Sequence, residues 1–208
     1  MLVKNTVIAV RTTLVLAIAV GVIFPLAVTG VSQALFPHAS NGSLLTKDGK
    51  VIGSRLVGQP FIKPEYFHPR PSAAGSGYAG EASGGTNLGP TSKKLIEGVT
   101  DDPATKNTDE SFSGVKQLAE KYRDENGLTP GELVPVDAVT RSASGLDPDI
   151  SLDNASLQAP RVAKARNLPV DQVMELIAKQ KEPRQLNVLG EPRVNVLMLN
   201  LALDELKR

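Results

Sequence analysis

Gly75, Gly77 and Gly80 stand at the spacing G-x-G-x-x-G, the pattern whose glycines let a helix N-terminus approach a pyrophosphate. That chemistry needs a strand before the glycines and a helix after them. No strand pattern leads into Gly75, and Gly84-Gly85 intervenes where the helix would begin, so the match is read as accidental. There is no P-loop. Asp147, Asp149, Ser151 and Asp153 alternate like the first ligands of a calcium loop. Pro148 fills the second position, Leu152 replaces the turn glycine, and Gln158 stands where a bidentate Glu belongs. An Asx turn at Asp147 and helix capping by Ser151 or Asp153 explain the alternation better.

With two histidines in the chain, His38 and His68, a Ser-His-Asp site would have to join His68 to Ser72, and no nucleophile elbow surrounds that serine. His68 reads as a surface or hydrogen-bonded histidine. Arg70 lies among prolines and aromatics, a setting in which a guanidinium is pinned by stacking or by a carboxylate while its planar donors satisfy loop carbonyls. Gln158 and Arg161, three apart, share a helix face that Lys164 and Arg166 extend. Such a face can bind phosphate; more often it is merely solvated.

The elements that would position these residues begin with an apolar run. Residues 12–36 contain no charged side chain and follow Lys4 and Arg11. Twenty-five helical residues make ~38 Å, enough to cross a hydrocarbon core of ~30 Å with tilt. The basic flank belongs on the cytoplasmic side. Residues 1–11 are therefore expected inside, 12–36 as a transmembrane helix, and 37–208 as an extracytoplasmic domain. A cleaved signal ending at Ser32-Gln33-Ala34 would export the same domain, but the run exceeds the usual signal length. Thr13, Ala17, Gly21 and Pro25 recur every four residues. They form either a stripe for a neighbouring helix or only the ordinary abundance of Gly and Pro in membrane helices.

The exported part carries 21 of the 23 basic residues and all 22 acidic ones. That balance, with no basic stripe interleaved with aromatics, argues against a nucleic-acid partner. No metal cluster is read. The absence of cysteine is compatible with an envelope protein. About 170 residues suffice for one domain. Residues 53–92 hold eight of the eighteen glycines, five of the fifteen prolines and four of the eight aromatics; the aromatics argue for ordered loops. Strands are expected at 51–57 and around 134–140, and shorter ones at 186–189 and 193–199, with Asn200 opening a terminal helical turn. One helix is capped by Thr91 or Ser92. A second runs from a Thr108 cap to about Glu125, and a third from Ser151 or Asp153 to Asn167, started or interrupted by Pro160. The fourth follows Pro169 with Val170, Val173, Met174 and Ile177 as its core stripe. The fold class is α+β: one N-terminal transmembrane helix, then a single compact extramembrane domain of mixed helices and strands with a loop-rich first half.

Six segments are similar in order and wording to one family: Leu56-Val57-Gly58-Gln59, Tyr66 through Ala73 (YFHPRPSA), Ser83 through Ser92 (SGGTNLGPTS), Val139 through Asp147 (VTRSASGLD), Arg161 through Arg166 (RVAKAR) and Gly190 through Asn195 (GEPRVN). They strongly resemble the C subunits (KdpC) of the bacterial potassium-transporting Kdp ATPase, over essentially the whole chain. The resemblance implies a non-catalytic subunit in the inner membrane, partnered by a channel-like potassium-conducting subunit, a P-type ATP-hydrolysing subunit and membrane lipid. It implies a role in assembly and in raising the ATP affinity of the hydrolytic subunit. No cofactor of its own is implied, only a possible ATP contact within the complex, for which the family points to Gln158, with Arg161 beside it. Arg70, Pro71, Ser72, Ser83, Gly84, Gly85, Asn87, Ser144, Gly145 and Asp147 are expected as structural or partner-interface residues, and Ala17, Gly21 and Pro25 as helix-packing residues. Ala79 and Asp149 stand where the family commonly has Asp and His. The alternatives, an anchored exported hydrolase or binding module, lack a convergent nucleophile, base and orienter.

Overall fold

The computed structural model describes residues 2–99 and 112–206. It divides into two compact units, residues 1–54 and 55–208.

In the first unit an apolar helix spans Leu2–Leu35, with none of its hydrophobic segment buried, long and apolar enough to cross a membrane. It comprises α1 (Leu2–Ile18), a π-helical turn (Ala19–Ile23) and α2 (Phe24–Leu35). The Phe24 N–H donates to the carbonyl of Ala19, five residues back. Pro25 next in line has no N–H and crowds the carbonyl four residues before it, so a widened turn relieves the helix there. Ala17, Gly21 and Pro25 bracket this turn, and the Cβ position of Gly21 faces open space. A short α3 (Pro37–Ser40) leads into an antiparallel hairpin, β1 (Leu44–Lys47) and β2 (Lys50–Ser54), turned at Asp48-Gly49.

The second unit is built around α7 (Leu152–Arg166), α8 (Val170–Gln180) and α9 (Val196–Glu205) packed beside a small antiparallel sheet of β3 (Asp149–Ser151), β4 (Lys181–Glu182) and β5 (Arg193–Asn195), in the order β3-β5-β4. Its core joins Ala155, Ala159, Val162 and Ala163 of α7 to Val173, Leu176 and Ile177 of α8, Val194 of β5 and Val196, Leu199 and Leu203 of α9. Phe67, from the loop-rich half, is fully buried in the same core. A second cluster joins Ala119 and Tyr122 of α5 (Val115–Asn126) to Ala138 and Val139 of α6 (Val136–Val139). A helix α4 (Lys93–Glu97) is capped by the Ser92 hydroxyl.

Several sequence expectations are corrected. Residues 136–139 form a helical turn instead of a strand, because Pro135 presets its entry and Asp137 in its first turn is tied to Ser151 and Asn154. α7 runs unbroken through Pro160, which is exposed to solvent while Ala155, Ala159 and Ala163 are buried in the core. The buried face of α8 is Val173, Leu176 and Ile177; Val170 and Met174 are exposed. α9 opens at Asn195, whose side chain accepts from the Met198 N–H, and not at Asn200. Residues 186–189 make a hairpin turn and add no strand. α5 starts after Gly114, whose N–H is accepted by the Gln117 side chain; Thr108 lies outside the described residues.

Candidate functional site

Two adjoining loop clamps organise the second unit. The first grips residues 64–68 from behind. Arg161 donates through Nη1 to the carbonyls of Pro64 (2.6 Å) and Tyr66 (3.0 Å). Arg166 donates to the Glu65 carbonyl (2.6 Å). Asn200 exchanges two bonds with Phe67, accepting from its N–H (2.9 Å) and donating to its carbonyl (3.0 Å). Gln158 does the same for His68, at 2.7 and 3.1 Å. Five consecutive carbonyls are thus held by side chains from α7 and α9. No regular ladder is available to this segment, and buried backbone groups must be paired by something.

Gln158, 1% exposed, has two further bonds: its Oε1 accepts from Arg161 Nη2 (2.8 Å) and its Nε2 donates to Asn154 Oδ1 (2.8 Å). An amide offers two donors and about two acceptor sites, so its capacity is filled within the fold. Arg161 also reaches Asn126 Oδ1 (3.0 Å), and burial lowers its pKa from the ordinary value. Arg166 pairs with Asp204 (2.7 Å) and lies 4.8 Å from the centre of the Tyr66 ring. Asn154 and Asp137 continue the network: Tyr122 Oη donates to Asn154 Oδ1 (2.9 Å), and Asp137 accepts from the Ser151 N–H and hydroxyl, both at 2.8 Å. Burial pushes the Tyr122 phenol well above its ordinary pKa, which keeps it a neutral donor.

The second clamp ties residues 70–85 to residues 142–147. Arg70 pairs with Asp147 (2.6 Å) and reaches the Thr140 carbonyl (3.4 Å). The Ser72 hydroxyl donates to the Gly145 carbonyl (2.6 Å) while accepting from the N–H groups of Ala74 and Tyr78. Ser83 and Gly84 both donate to the Ser144 carbonyl, at 3.0 and 2.9 Å. Gly145 sits at φ +68°, where a Cβ would lie 2.6 Å from the Gly84 carbonyl oxygen. A Cβ on Gly85 would lie 3.0 Å from the Ala143 carbonyl. Asn87 takes a left-handed φ of 53°. Asp147 forms an Asx turn with the Asp149 N–H, and Ser151 caps α7 through the Asn154 N–H. Tyr78 donates to the Arg70 carbonyl (2.5 Å), and burial pushes its pKa up to about 12.

A cleft of about 300 Å³ opens beside the clamps, lined by Phe61, Pro69, Pro71, Tyr78, Tyr122 and Gln158 among others. His68 closes one side, its ring nitrogens 3.4 Å from Glu125 and 3.1 Å from the Lys63 carbonyl.

Sequence reasoning groups Arg70, Ser72, Ser83 to Gly85, Ser144, Gly145 and Asp147, and the fold brings them together. It also pairs Gln158 with Arg161 but leaves out Asn154, Asp137 and Asn200. Asn200 carried a signal: an amide inside the apolar run of α9 must find a partner if buried. Ala17, Gly21 and Pro25 belong to the other unit.

The second unit is thus a loop-clamping helical domain, with Gln158, Arg161, Arg166 and Asn200 spent on fixing residues 64–68, in a chain whose N-terminal helix is long and apolar enough to cross a membrane. Residues 6–205 match the family described as KdpC: K+-transporting ATPase, c chain. The potassium-transporting ATPase KdpC subunit of Mycobacterium tuberculosis is 52% identical over 193 residues, covering 93% of this chain and 94% of the relative. That of Acidobacterium capsulatum is 49% identical over 198 residues (95% and 96%), and that of Caulobacter vibrioides 52% over 188 residues (90% and 86%). The chain belongs to the KdpC family, as an accessory subunit of a potassium-transporting ATPase complex.

Proposed function

We propose that the chain stabilises assembly of the potassium pump and raises the ATP affinity of its hydrolytic P-type subunit by conformational coupling. On this reading the domain lies outside the inner membrane, where it covers the ion entrance of the channel-like subunit. The observation that carries it is Gln158. Its four hydrogen bonds are all made to His68, Asn154 and Arg161, so a direct contact with ATP would have to break the loop clamp. An effect of Gln158 on ATP affinity is then transmitted through the loop it holds. Ser72 does not favour a hydrolase, because its hydroxyl proton goes to the Gly145 carbonyl.

The test uses the absence of cysteine. Ser113 is exposed, and Ser113→Cys in intact cells should react with a membrane-impermeant maleimide. Labelling only after lysis would place the domain inside and overturn coupling across the membrane.

A further inference from the structure

The chain contains two Asn-Gly pairs, Asn41-Gly42 and Asn126-Gly127. In such a pair the Gly nitrogen carries no neighbouring side chain to hinder its approach to the Asn side-chain carbon, and the Gly backbone turns freely. The nitrogen attacks Cγ, the Cγ–Nδ2 bond breaks, and Nδ2 leaves as ammonia with the proton from the Gly nitrogen. Water then opens the resulting cyclic imide at either carbonyl, giving Asp or isoaspartate. No enzyme or oxidant takes part, so the surrounding structure sets the rate. Reaction requires the Asn side chain and the Gly N–H to give up their hydrogen bonds and meet.

The fold holds the two pairs differently. Asn126 is the last residue of α5. Its Nδ2 donates to the Tyr122 carbonyl (2.9 Å), its Oδ1 accepts from Arg161 Nε (3.0 Å), and the Gly127 N–H donates to the Arg123 carbonyl. Tyr122 is buried, and the same Arg161 grips the carbonyls of Pro64 and Tyr66. Asn126 is therefore freed only when α5 frays and the first clamp lets go. Asn41 is exposed and follows α3, a helix of 4 residues. Its Nδ2 donates to the Pro37 carbonyl (2.7 Å) and the Gly42 N–H to that of Ala39 (3.1 Å). Both acceptors belong to that one turn, which bears the whole cost of helix nucleation with few bonds to offset it. A single fraying event releases the amide and the attacking nitrogen together.

We propose that Asn41-Gly42 is a site of spontaneous deamidation and isoaspartate formation in this chain, and that Arg161 shields Asn126-Gly127 from the same reaction. At Asn41 the product adds a carboxylate shortly after the apolar N-terminal helix. Isoaspartate also routes the main chain through the former side chain and adds a methylene between α3 and β1, where the Ser54 hydroxyl donates to the Gly42 carbonyl (2.7 Å). The connection from that helix into the hairpin is thus altered as the protein ages, while the end of α5 and its hold on Arg161 are preserved.

The full chain in mild detergent is aged at mildly alkaline pH and sampled over weeks. It is digested in acid, where the reaction is slow, and Asp and isoaspartate at each position are counted by mass spectrometry. Synthetic peptides of residues 37–47 and 121–131 give the unshielded rates, which should agree because the reacting pair is the same. In the folded chain Asn126 should convert roughly tenfold or more slowly than Asn41, since each additional hydrogen bond to be broken contributes up to about a decade. Equal rates in the folded chain, a slower Asn41, or Asn41 intact after its peptide is fully converted overturn the proposal. Arg161→Lys keeps the charge and removes the donor to Asn126 Oδ1. Conversion at Asn126 should then rise severalfold with Asn41 unchanged; an unchanged Asn126 overturns the shielding. The wild-type comparison stands whether or not the variant folds.

Discussion

Replacing Gln158 by alanine separates loop holding from nucleotide contact. The substitution deletes an amide, 1% exposed, that makes four hydrogen bonds. Two of the groups left behind are the N–H and C=O of His68, and a buried group without a partner costs about 1–3 kcal/mol. The vacated volume adds ~1 kcal/mol. At the low end of each range the loss is ~3 kcal/mol, or about two decades in an opening equilibrium at ~1.4 kcal/mol per decade. Hydrogen exchange at Phe67 and His68 in the full-length protein should therefore accelerate about a hundredfold if it proceeds by opening of this loop. Asn200→Ala strips Phe67 of the equivalent pair of bonds and should reproduce both the exchange and any fall in apparent ATP affinity. Lower ATP affinity in Gln158→Ala with loop exchange unchanged, or with Asn200→Ala retaining wild-type affinity, would refute the reasoning and make Gln158 a nucleotide contact.

Gly145→Ala places a Cβ 2.6 and 2.7 Å from two backbone atoms at a left-handed φ. It should cost about 3 kcal/mol or more, seen as a fall in Tm of the domain. Glu125 is held below the usual carboxylate range, first by its hydrogen bond to His68. A depressed folded-state pKa contributes stability above the unfolded value and loses it as pH falls through the folded one. The Tm gap between wild type and Glu125→Gln should therefore be open at neutral pH and close in acid; a gap that widens on acidification would contradict this sign.

Much of this molecule was legible where one local force dominates. The uncharged run and the Ser92 and Ser151 caps each follow from nearest-neighbour chemistry. The failures occur where tertiary contacts outvote local preference. Pro160 does not break α7 because Ala155, Ala159 and Ala163 of the same helix pack into the core, and residues 136–139 form a helical turn because Asp137 is claimed by Ser151 and Asn154. The clamp was half legible for the same reason. Gln158 and Arg161 are three apart and visibly share a face, whereas Asn200 meets Phe67 across 133 positions, a pairing no local period encodes.

This division bears on how an accessory subunit can act without touching ATP. A domain that binds two states of a pump equally shifts nothing, however tightly it holds them. To raise ATP affinity it must bind the ATP-competent state better, and linkage then requires ATP to tighten the domain's own attachment by the same factor. Such discrimination needs a surface that does not deform to fit both states. Five consecutive carbonyls fixed by Gln158, Arg161, Arg166 and Asn200 resist that deformation. On the proposed reading, the buried polar side chains of α7 and α9 are therefore the source of the coupling, because a loop free to follow its partner would bind both states alike and transmit nothing.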